Sequence, residues 1–247
     1  MIKNFNSIKK ILNDFKIQNY QYVYIYSDLR YFFTIFKKNP IKFVESLLDY
    51  FLDLDITIII PTFSYTTKGV FNVSQTKTKL GFLNKYILKN KQSYRSEHPI
   101  FSFSAIGPNK NIVLNVPKEA FGPNSIHDRL LKKKACFLNL GRSLNEGNTL
   151  IHQIEKINKC NYRFEKIFKT KVYKNGKYIG NNYSAFLRKN IRKKMNFNKI
   201  YKKIKKEKFF YTHGDDKKYS NINVYSYDDF YHFLYKNFSK DRKIFLK

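Results

Sequence analysis

The protein is 247 residues long and carries 48 Lys and Arg against 18 Asp and Glu, a formal net charge of +30 at neutral pH. A chain of this length buries a sizeable core without disulfides or metals. The two cysteines, Cys136 and Cys160, form no C-x-x-C pair, which argues against a disulfide framework or a thiolate metal site and makes a reducing, cytoplasmic setting the expectation.

Residues 3–16 place Phe5, Ile8, Ile11, Leu12 and Phe15 at helical spacing. The run that follows, YQYVYIYSD, reads as a buried strand ending in a loop at Ser27 and Asp28. Residues 40–53 read as an amphipathic helix opened by Pro40, and residues 56–61, ITIIIP, as a second strand closed by Pro61. Helix, strand, helix, strand predicts an α/β fold with a parallel sheet. The middle is less regular. FNVSQTKTKLG is loop-like, residues 81–90 read as a helix, a strand lies near residues 101–106, and PNSIHDRLLKK reads as a helix capped by Asn124 or Ser125. Residues 135–141, ACFLNLG, form another buried strand, after which Asn148 or Thr149 caps a helix running through His152 and Glu155.

In the last third, Asn175-Gly176 marks a hairpin. A basic helical stretch over residues 183–208, a short strand near residues 222–225 and a final helix, YDDFYHFLYKNF, complete the chain. No internal repeat or long linker interrupts it. The expectation is a single α/β domain over residues 1–247, with a predominantly parallel or mixed central sheet flanked by helices. Residues 1–165 form its core and residues 166–247 a basic C-terminal elaboration.

The N-terminal residues have no apolar core of signal-peptide length, and the longest apolar run, residues 56–60, is far short of a membrane span. The charge suits nucleic acid or an anionic surface. Yet Lys, Asn, Ile, Tyr and Phe are abundant along the whole chain, a bias that an AT-rich genome produces without any patch. Residues 188–208 interleave basic and aromatic residues and fit nucleic acid or anionic lipid, with a solvated helix face as the plainer reading. No specific nucleic-acid partner is expected, and peripheral contact with an anionic membrane is left open.

The chain has no G-x-x-x-x-G-K-[ST], G-x-S-x-G, H-E-x-x-H or G-x-G-x-x-G, which removes common NTPase, hydrolase, zincin and Rossmann assignments. Polar clusters instead follow strands or open helices. They begin at Tyr26-Ser27-Asp28, Pro61-Thr62-Phe63, Arg95-Ser96, Phe121-Gly122 and Asn148-Thr149. Ligands in α/β folds bind where loops leave the carboxyl ends of strands, so the clusters together predict a composite site. Alone, His152 with Glu155 three residues on reads as a base with its partner, as two metal ligands, or as the first turn of a helix.

In this order and spacing the clusters resemble the aminoglycoside 3-N-acetyltransferase family. A His-Ser-Ser-Leu-like element is similar to Tyr26-Ser27-Asp28-Leu29, and Met-Pro-Thr-Phe to Ile60-Pro61-Thr62-Phe63. Thr-Pro-Ser-x-x-Gly is matched loosely by Thr76, Lys77, Thr78 and Gly81. Arg-Ser-x-His-Pro-x-x-Ser followed by Gly stands here as Arg95, Ser96, His98, Pro99, Ser102 and Gly107. Phe-Gly-x-x-Ser is Phe121, Gly122 and Ser125, and the last element is Gly141, Asn148, Thr149, His152 and Glu155. The resemblance covers about residues 5–165. Tyr26 replaces the family's His, Asp28 its second Ser and Lys77 its Pro, departures that bear on the acceptor more than on the donor.

The resemblance implies transfer of an acetyl group from acetyl-CoA to an amine of an aminosugar. It makes His152 the general base, a role suited to a group that titrates near neutrality. Glu155, on the same helix face, fixes the tautomer of His152 or contacts the cationic amine. Arg95 and Ser96 are expected to bind the phosphates or the pantetheine arm of CoA, with Ser27 and Ser102 beside that arm. Thr149 joins this set, with orientation of His152 or capping of its helix as the other readings. Phe63 and Tyr65 stack on a sugar face or pack in the core. The amine attacks directly, so no side-chain nucleophile is required. Cys136 reads as a buried small hydrophobe, and no metal is implied.

A polycationic aminoglycoside calls for an acidic cleft, whereas basic residues dominate here. The balance favours a neutral or anionic acceptor, such as a nucleotide-linked aminosugar or a glycan precursor, in bacterial surface-glycan or glycoconjugate biosynthesis. Antibiotic resistance is the alternative acceptor reading. A nucleic-acid-binding protein or a catalytically inactive family member are alternatives of another class.

Overall fold

The structure is a computed structural model, and it describes residues 2, 4–36, 39–146, 148–190, 192 and 194–247. The first half runs α1 (Phe5–Asp14), β1 (Tyr22–Ser27), α2 (Arg30–Ile35), α3 (Pro40–Asp53), β2 (Thr57–Pro61), β3 (Val70–Asn72), α4 (Phe82–Lys89), β4 (Tyr94–Arg95) and β5 (Phe103–Ile106). Then come α5 (Ile126–Leu131), β6 (Ala135–Leu140), α6 (Leu150–Ile157), β7 (Arg163–Phe168), β8 (Lys171–Lys174), β9 (Lys177–Gly180) and β10 (Tyr183–Arg188). The chain closes with α7 (Asn198–Ile204), β11 (Phe210–His213), β12 (Ile222–Ser226) and α8 (Tyr227–Lys240).

A seven-stranded sheet in the order β11-β12-β6-β1-β2-β5-β4 divides the molecule. Its centre is parallel, with β1 between β2 and β6, and the chain passes from β1 to β2 through the helical crossover that parallel pairing requires. The flanks are antiparallel, β12 on β6 and β11 on β12 at one side, β5 on β2 and β4 on β5 at the other. The sheet is therefore mixed. Its central strands are buried on both faces, which is why YVYIYS, TIIIP and ACFLNL read as near-continuous apolar runs.

Alternation along the strands still sorts the two faces. Val23, Ile25, Ile58, Ile60 and Leu138 pack on Ile8, Leu12, Phe43, Leu47 and Phe51 of α1 and α3. Tyr22, Tyr24, Tyr26, Phe137 and Tyr225 form an aromatic face under Leu130, Ile154, Phe230 and Leu234 of α5, α6 and α8. The site lies on the aromatic face. Behind β6, Gly141 sits at φ +67°, and a Cβ there would stand 2.1 Å from the Asp28 carbonyl oxygen and 2.6 Å from that of Tyr219. Only glycine fits where the ends of these segments converge.

Two local expectations change, and one with two alternatives resolves. The basic helix expected over residues 183–208 is a strand at its start, because β10 pairs along its length with β7, from Tyr183 opposite Phe168 to Arg188 opposite Arg163. The pairing overrides the helical preference of the lysines and arginines, and helix is confined to α7. Residues 191 and 193 of that stretch lie outside the described residues. The loop after residue 70 contains β3, which joins β8 and β9 in a small sheet around the Asn175-Gly176 turn, whose two residues have φ +51° and +76°. At the start of α6, Thr149 occupies the N-cap position without capping, while the Asn148 side chain accepts from the Leu150 N–H at 3.1 Å. Ser125 does cap α5, accepting from Asp128 N–H. Among the described residues no helix is long and apolar enough to cross a membrane.

Candidate active site

The helix α6 buries Leu150, Ile151 and Ile154 against the aromatic face, which turns His152 and Glu155 together towards the β7–β10 ribbon. His152 Nδ1 lies 2.8 Å from Glu155 Oε2. Arg163 Nε is 2.6 Å from the same oxygen, and Tyr162 OH donates to Oε1 at 2.8 Å. The Glu155 side chain is fully buried, so three groups replace the water it has lost. Arg163 also donates to the Phe186 carbonyl at 3.0 Å, which ties the ion pair to β10.

With Nδ1–H directed at Glu155, the lone pair of His152 sits on Nε2, for which the described residues supply no hydrogen-bond partner. Burial lowers the His152 pKa below its ordinary 6.5, and Arg163 and Arg188 push the same way, against the raising effect of Glu155. At pH 7 the imidazole is therefore neutral and able to take a proton.

His152 is a wall of two cavities. The first, of about 270 Å³, is lined by Tyr26, Pro61, Phe63, Asn148 and Thr149, all from the sequence clusters, with Tyr65, Leu80, Arg142 and Phe197 beside them. Arg142 is neutralised there by Glu146 at 2.7 Å. The second, of about 500 Å³, is lined by Phe101, Phe164, Phe186 and the cations Arg163, Lys166, Arg188 and Lys189. Among the described residues no carboxylate lines it, and Met195 is the other one the two cavities share.

A buried network fixes α6 from behind. The Thr149 hydroxyl lies 3.0 Å from Tyr26 OH and 2.8 Å from His127 Nε2, and Thr149 N–H donates to Tyr26 OH at 3.0 Å. His127 Nδ1 meets Tyr227 OH of α8. Burial depresses the His127 pKa to about 3, so this imidazole stays neutral. Gln153, one residue after His152, accepts from Gly122 N–H at 2.7 Å and from the Ser125 hydroxyl at 3.2 Å. The Phe-Gly-x-x-Ser element is thereby fastened to α6, and Phe121 meets His152 edge to face at 5.5 Å. His127, Gln153, Tyr162 and Arg163 were not legible as site residues. Only Gln153 carries a hint, lying between His152 and Glu155 in the sequence.

The sequence-derived residues thus separate. His152, Glu155, Thr149, Phe63 and Tyr65 come together. Arg95, Ser96 and Ser102 do not line either cavity at His152. Arg95 is buried, with its guanidinium donating to the carbonyls of Thr62 (2.8 Å), Val73 (3.1 Å) and Thr76 (2.5 Å) and to the Ser102 hydroxyl (3.1 Å). Its planar face covers Phe71 at 4.8 Å, and burial lowers its pKa to about 10. Main-chain acceptors occupy the guanidinium, so Arg95 is a brace between loops. Arg95 also borders a third cavity of about 570 Å³, with Lys89, Lys91 and Lys174.

Ser102 donates to the Thr62 carbonyl at 2.8 Å, and the Ser96 hydroxyl accepts from Phe103 N–H at 2.8 Å. His98 accepts two backbone N–H groups on Nδ1, from Ile100 and Phe101, so Nε2–H donates to the Ser184 carbonyl at 3.0 Å. Ser27 ends β1, half-buried, outside both cavities.

Among the described residues no group of three His, Cys, Asp or Glu side chains could hold a metal ion. Burial raises the thiol pKa of Cys136 well above its ordinary value and that of Cys160 to about 11, so neither is a thiolate at neutral pH.

A search of curated protein sequences finds no match for the chain. Among solved structures, YokD from Bacillus subtilis is similar at 19% identity and a TM-score of 0.74, covering 96% of this chain and 99% of its own. A mutant of aminoglycoside acetyltransferase AAC(3)-IVa in complex with a gentamicin is similar at 18% identity and a TM-score of 0.73, with 97% and 90% covered. AAC-IIIb in its binary complex with CoASH is similar at 11% identity and 0.76, with 95% and 96% covered. These likenesses establish the fold. The model of the aminoglycoside 3-N-acetyltransferase family matches residues 27–236, most of the sequence and both sides of His152, and the chain belongs to that family.

Proposed function

We propose that this protein moves the acetyl group of acetyl-CoA to an amino group of an aminosugar, with His152 as general base and Glu155 as the carboxylate that orients it. N-acetyl transfer with acetyl-CoA as cosubstrate is the chemistry of the family. The observation that carries the residue roles is the His152 Nδ1–Glu155 contact of 2.8 Å on a histidine that walls both cavities.

The first cavity is assigned to the donor. It is built from the residues that match the family's motifs, and what a family shares is its donor. Pro61, Phe63, Leu80 and Phe197 give it the apolar wall that a pantetheine arm requires. Phe63 and Tyr65, expected against a sugar, pack on the donor in this reading. The amine enters from the second cavity. Neutral His152 takes the proton that the amine loses as its nitrogen attacks the thioester carbonyl, and returns it to the departing sulfur. Glu155 stabilises the imidazolium between those steps. Tyr26, Thr149 and His127 hold the first turn of α6 in place meanwhile.

Two acceptor classes are compatible with this chemistry. The AAC(3)-IVa complex with a gentamicin favours an aminoglycoside, and hence antibiotic resistance. The net charge of +30 favours a neutral or anionic acceptor, such as a nucleotide-linked aminosugar or a glycan precursor. The proposed setting is the cytoplasm, a reading that the free thiols of Cys136 and Cys160 support.

The test is acetyl-CoA binding and thiol release in wild type and His152→Ala. The variant is expected to bind acetyl-CoA normally and to release CoA about 10³-fold more slowly, within the range of a lost general base. Undiminished turnover in the variant removes His152 from the mechanism. Failure of both proteins to bind acetyl-CoA removes the donor assignment.

A further inference from the structure

We propose that the acceptor is an aminosugar bearing an anionic group, phosphate or carboxylate, and that Lys166, Arg188 and Lys189 hold this group in the cavity on the β7–β10 side of His152. The proposal rests on the reading of His152 as the base that serves an aminosugar amine, and it adds the acceptor's chemical class and the residues that select it.

The charge inventory of the cavity is one-sided. Arg163, Lys166, Arg188 and Lys189 line it, and among the described residues no Asp or Glu does. Glu155 lies beneath and answers Arg163. Lys166 and Lys189 make no ion pair with the described residues, and the ammonium of Lys166 rests at 5.5 Å over the Phe168 ring instead. On the donor side the one lining arginine, Arg142, has Glu146 as its counter-charge. The +30 of the chain is spread along the sequence, but next to the base it becomes a local field.

The strand register concentrates that field. Arg163 and Arg188 are direct partners across the β7–β10 ladder. Both arginines act on His152, pushing its pKa down. They act on an incoming amine in the same sense, favouring the free base that attacks over the ammonium that cannot. A polycation with several ammonium groups is repelled by this wall. A monoamine whose anionic end reaches the lysines is drawn in with its amine towards His152. Phe164, 41% exposed, lines the same cavity and supplies an aromatic ring for the sugar.

The experiment measures steady-state acetyl transfer by the full chain to glucosamine, glucosamine 6-phosphate, muramic acid and gentamicin, for wild type, Lys166→Ala/Lys189→Ala and His152→Ala. At an ionic strength of about 0.1 M, glucosamine 6-phosphate or muramic acid is expected to exceed glucosamine at least about tenfold in kcat/KM, with gentamicin slowest. Which of the two anionic sugars leads assigns phosphate or carboxylate. The double variant is expected to cut the ratio of anionic to neutral sugar about tenfold through KM, with acetyl-CoA affinity retained. Added salt should erode the same ratio in wild type. Equal or better use of gentamicin or glucosamine overturns the proposal while leaving His152 as the base, as does a ratio that the double variant keeps. Turnover that His152→Ala does not diminish, or no turnover of any sugar, removes the underlying reading and the proposal with it.

Discussion

The cavity on the motif side of His152 is walled by side chains that the fold has already committed elsewhere. Tyr26 is bonded to Thr149, Arg142 is paired with Glu146, and behind them Thr149 reaches His127 and through it Tyr227. The cavity on the other side is walled by a two-stranded ribbon, β7 and β10, together with the lysines that flank its arginines. The first set of walls tolerates few substitutions, because each residue completes a buried network whose loss leaves polar groups unpaired. In the second, Arg163 and Phe186 are buried in the same way, and the freedom to change lies at Phe164, Lys166 and Lys189. In the proposed reading the donor takes the first cavity and the acceptor the second, and His152 lines both.

The largest effect expected from this contrast is acid sensitivity of the motif side. His98 and His127 are buried, and burial holds their pKa values at about 4 and about 3. Unfolded, each titrates near 6.5, so between these values the unfolded chain binds more protons and stability falls as pH falls. From pH 7 to pH 5 the two together should remove roughly 4 kcal/mol, readable as a drop in urea midpoint. His127→Asn should show about half that pH dependence, since one of the two contributing groups is gone. A stability that is flat between pH 7 and pH 5 means that these imidazoles are open to protonation in the folded state.

Next comes Arg95→Ala, which strips the partners from three carbonyls and a hydroxyl. A loss of about 3 kcal/mol is expected, lowering Tm by roughly 10 °C. Acetyl-CoA affinity, measured below the new Tm, should change little. The opposite pattern, an unchanged Tm with weakened acetyl-CoA binding, would show that Arg95 serves the donor phosphates after all.

Arg95 also shows where sequence and structure part. An arginine in a polar cluster beyond a strand reads as an anion binder, because nothing in the sequence reveals the carbonyls of Thr62, Val73 and Thr76 that surround it. The central strands were legible because burial on both faces leaves uninterrupted apolar runs. His152 and Glu155 were legible because their contact is local, one helical turn apart. His127 was not, since its partners Thr149 and Tyr227 are distant in the chain and meet it only through folding of α5, α6 and α8. The ribbon was misread as helix for a related reason. The lysines and arginines around β10 favour helix locally, and the strand exists only because β7 is there to pair with it.

A smaller effect, about 10²-fold in kcat, is expected for Glu155→Gln, which removes the charge that stabilises the imidazolium while keeping the shape. The pH profile supplies a second readout. Activity should fall with decreasing pH through a limb below 6.5, because burial depresses the His152 pKa. Glu155 is a raising influence on that pKa, so its replacement should move the limb to still lower pH. A limb that stays in place or rises would mean that Glu155 acts on the acceptor amine instead of on His152.

The last and smallest effects decide which substrate belongs to which cavity. Phe63 lines the cavity on the motif side and Phe164 the one on the ribbon side. Phe63→Leu, a mild change because the ring is buried among Tyr65, Phe101 and Phe103, should raise the KM for acetyl-CoA about threefold and leave that for the acceptor nearly unaltered. Phe164→Ala, at a half-exposed position with little to lose in packing, should raise the acceptor KM by a similar factor, about threefold. The crossed pattern, with Phe63→Leu weakening the acceptor and Phe164→Ala the donor, would exchange the two cavities. The cations of the ribbon would then face the phosphates of CoA, and the motif-built cavity would have to explain how a family shares its acceptor more strictly than its donor.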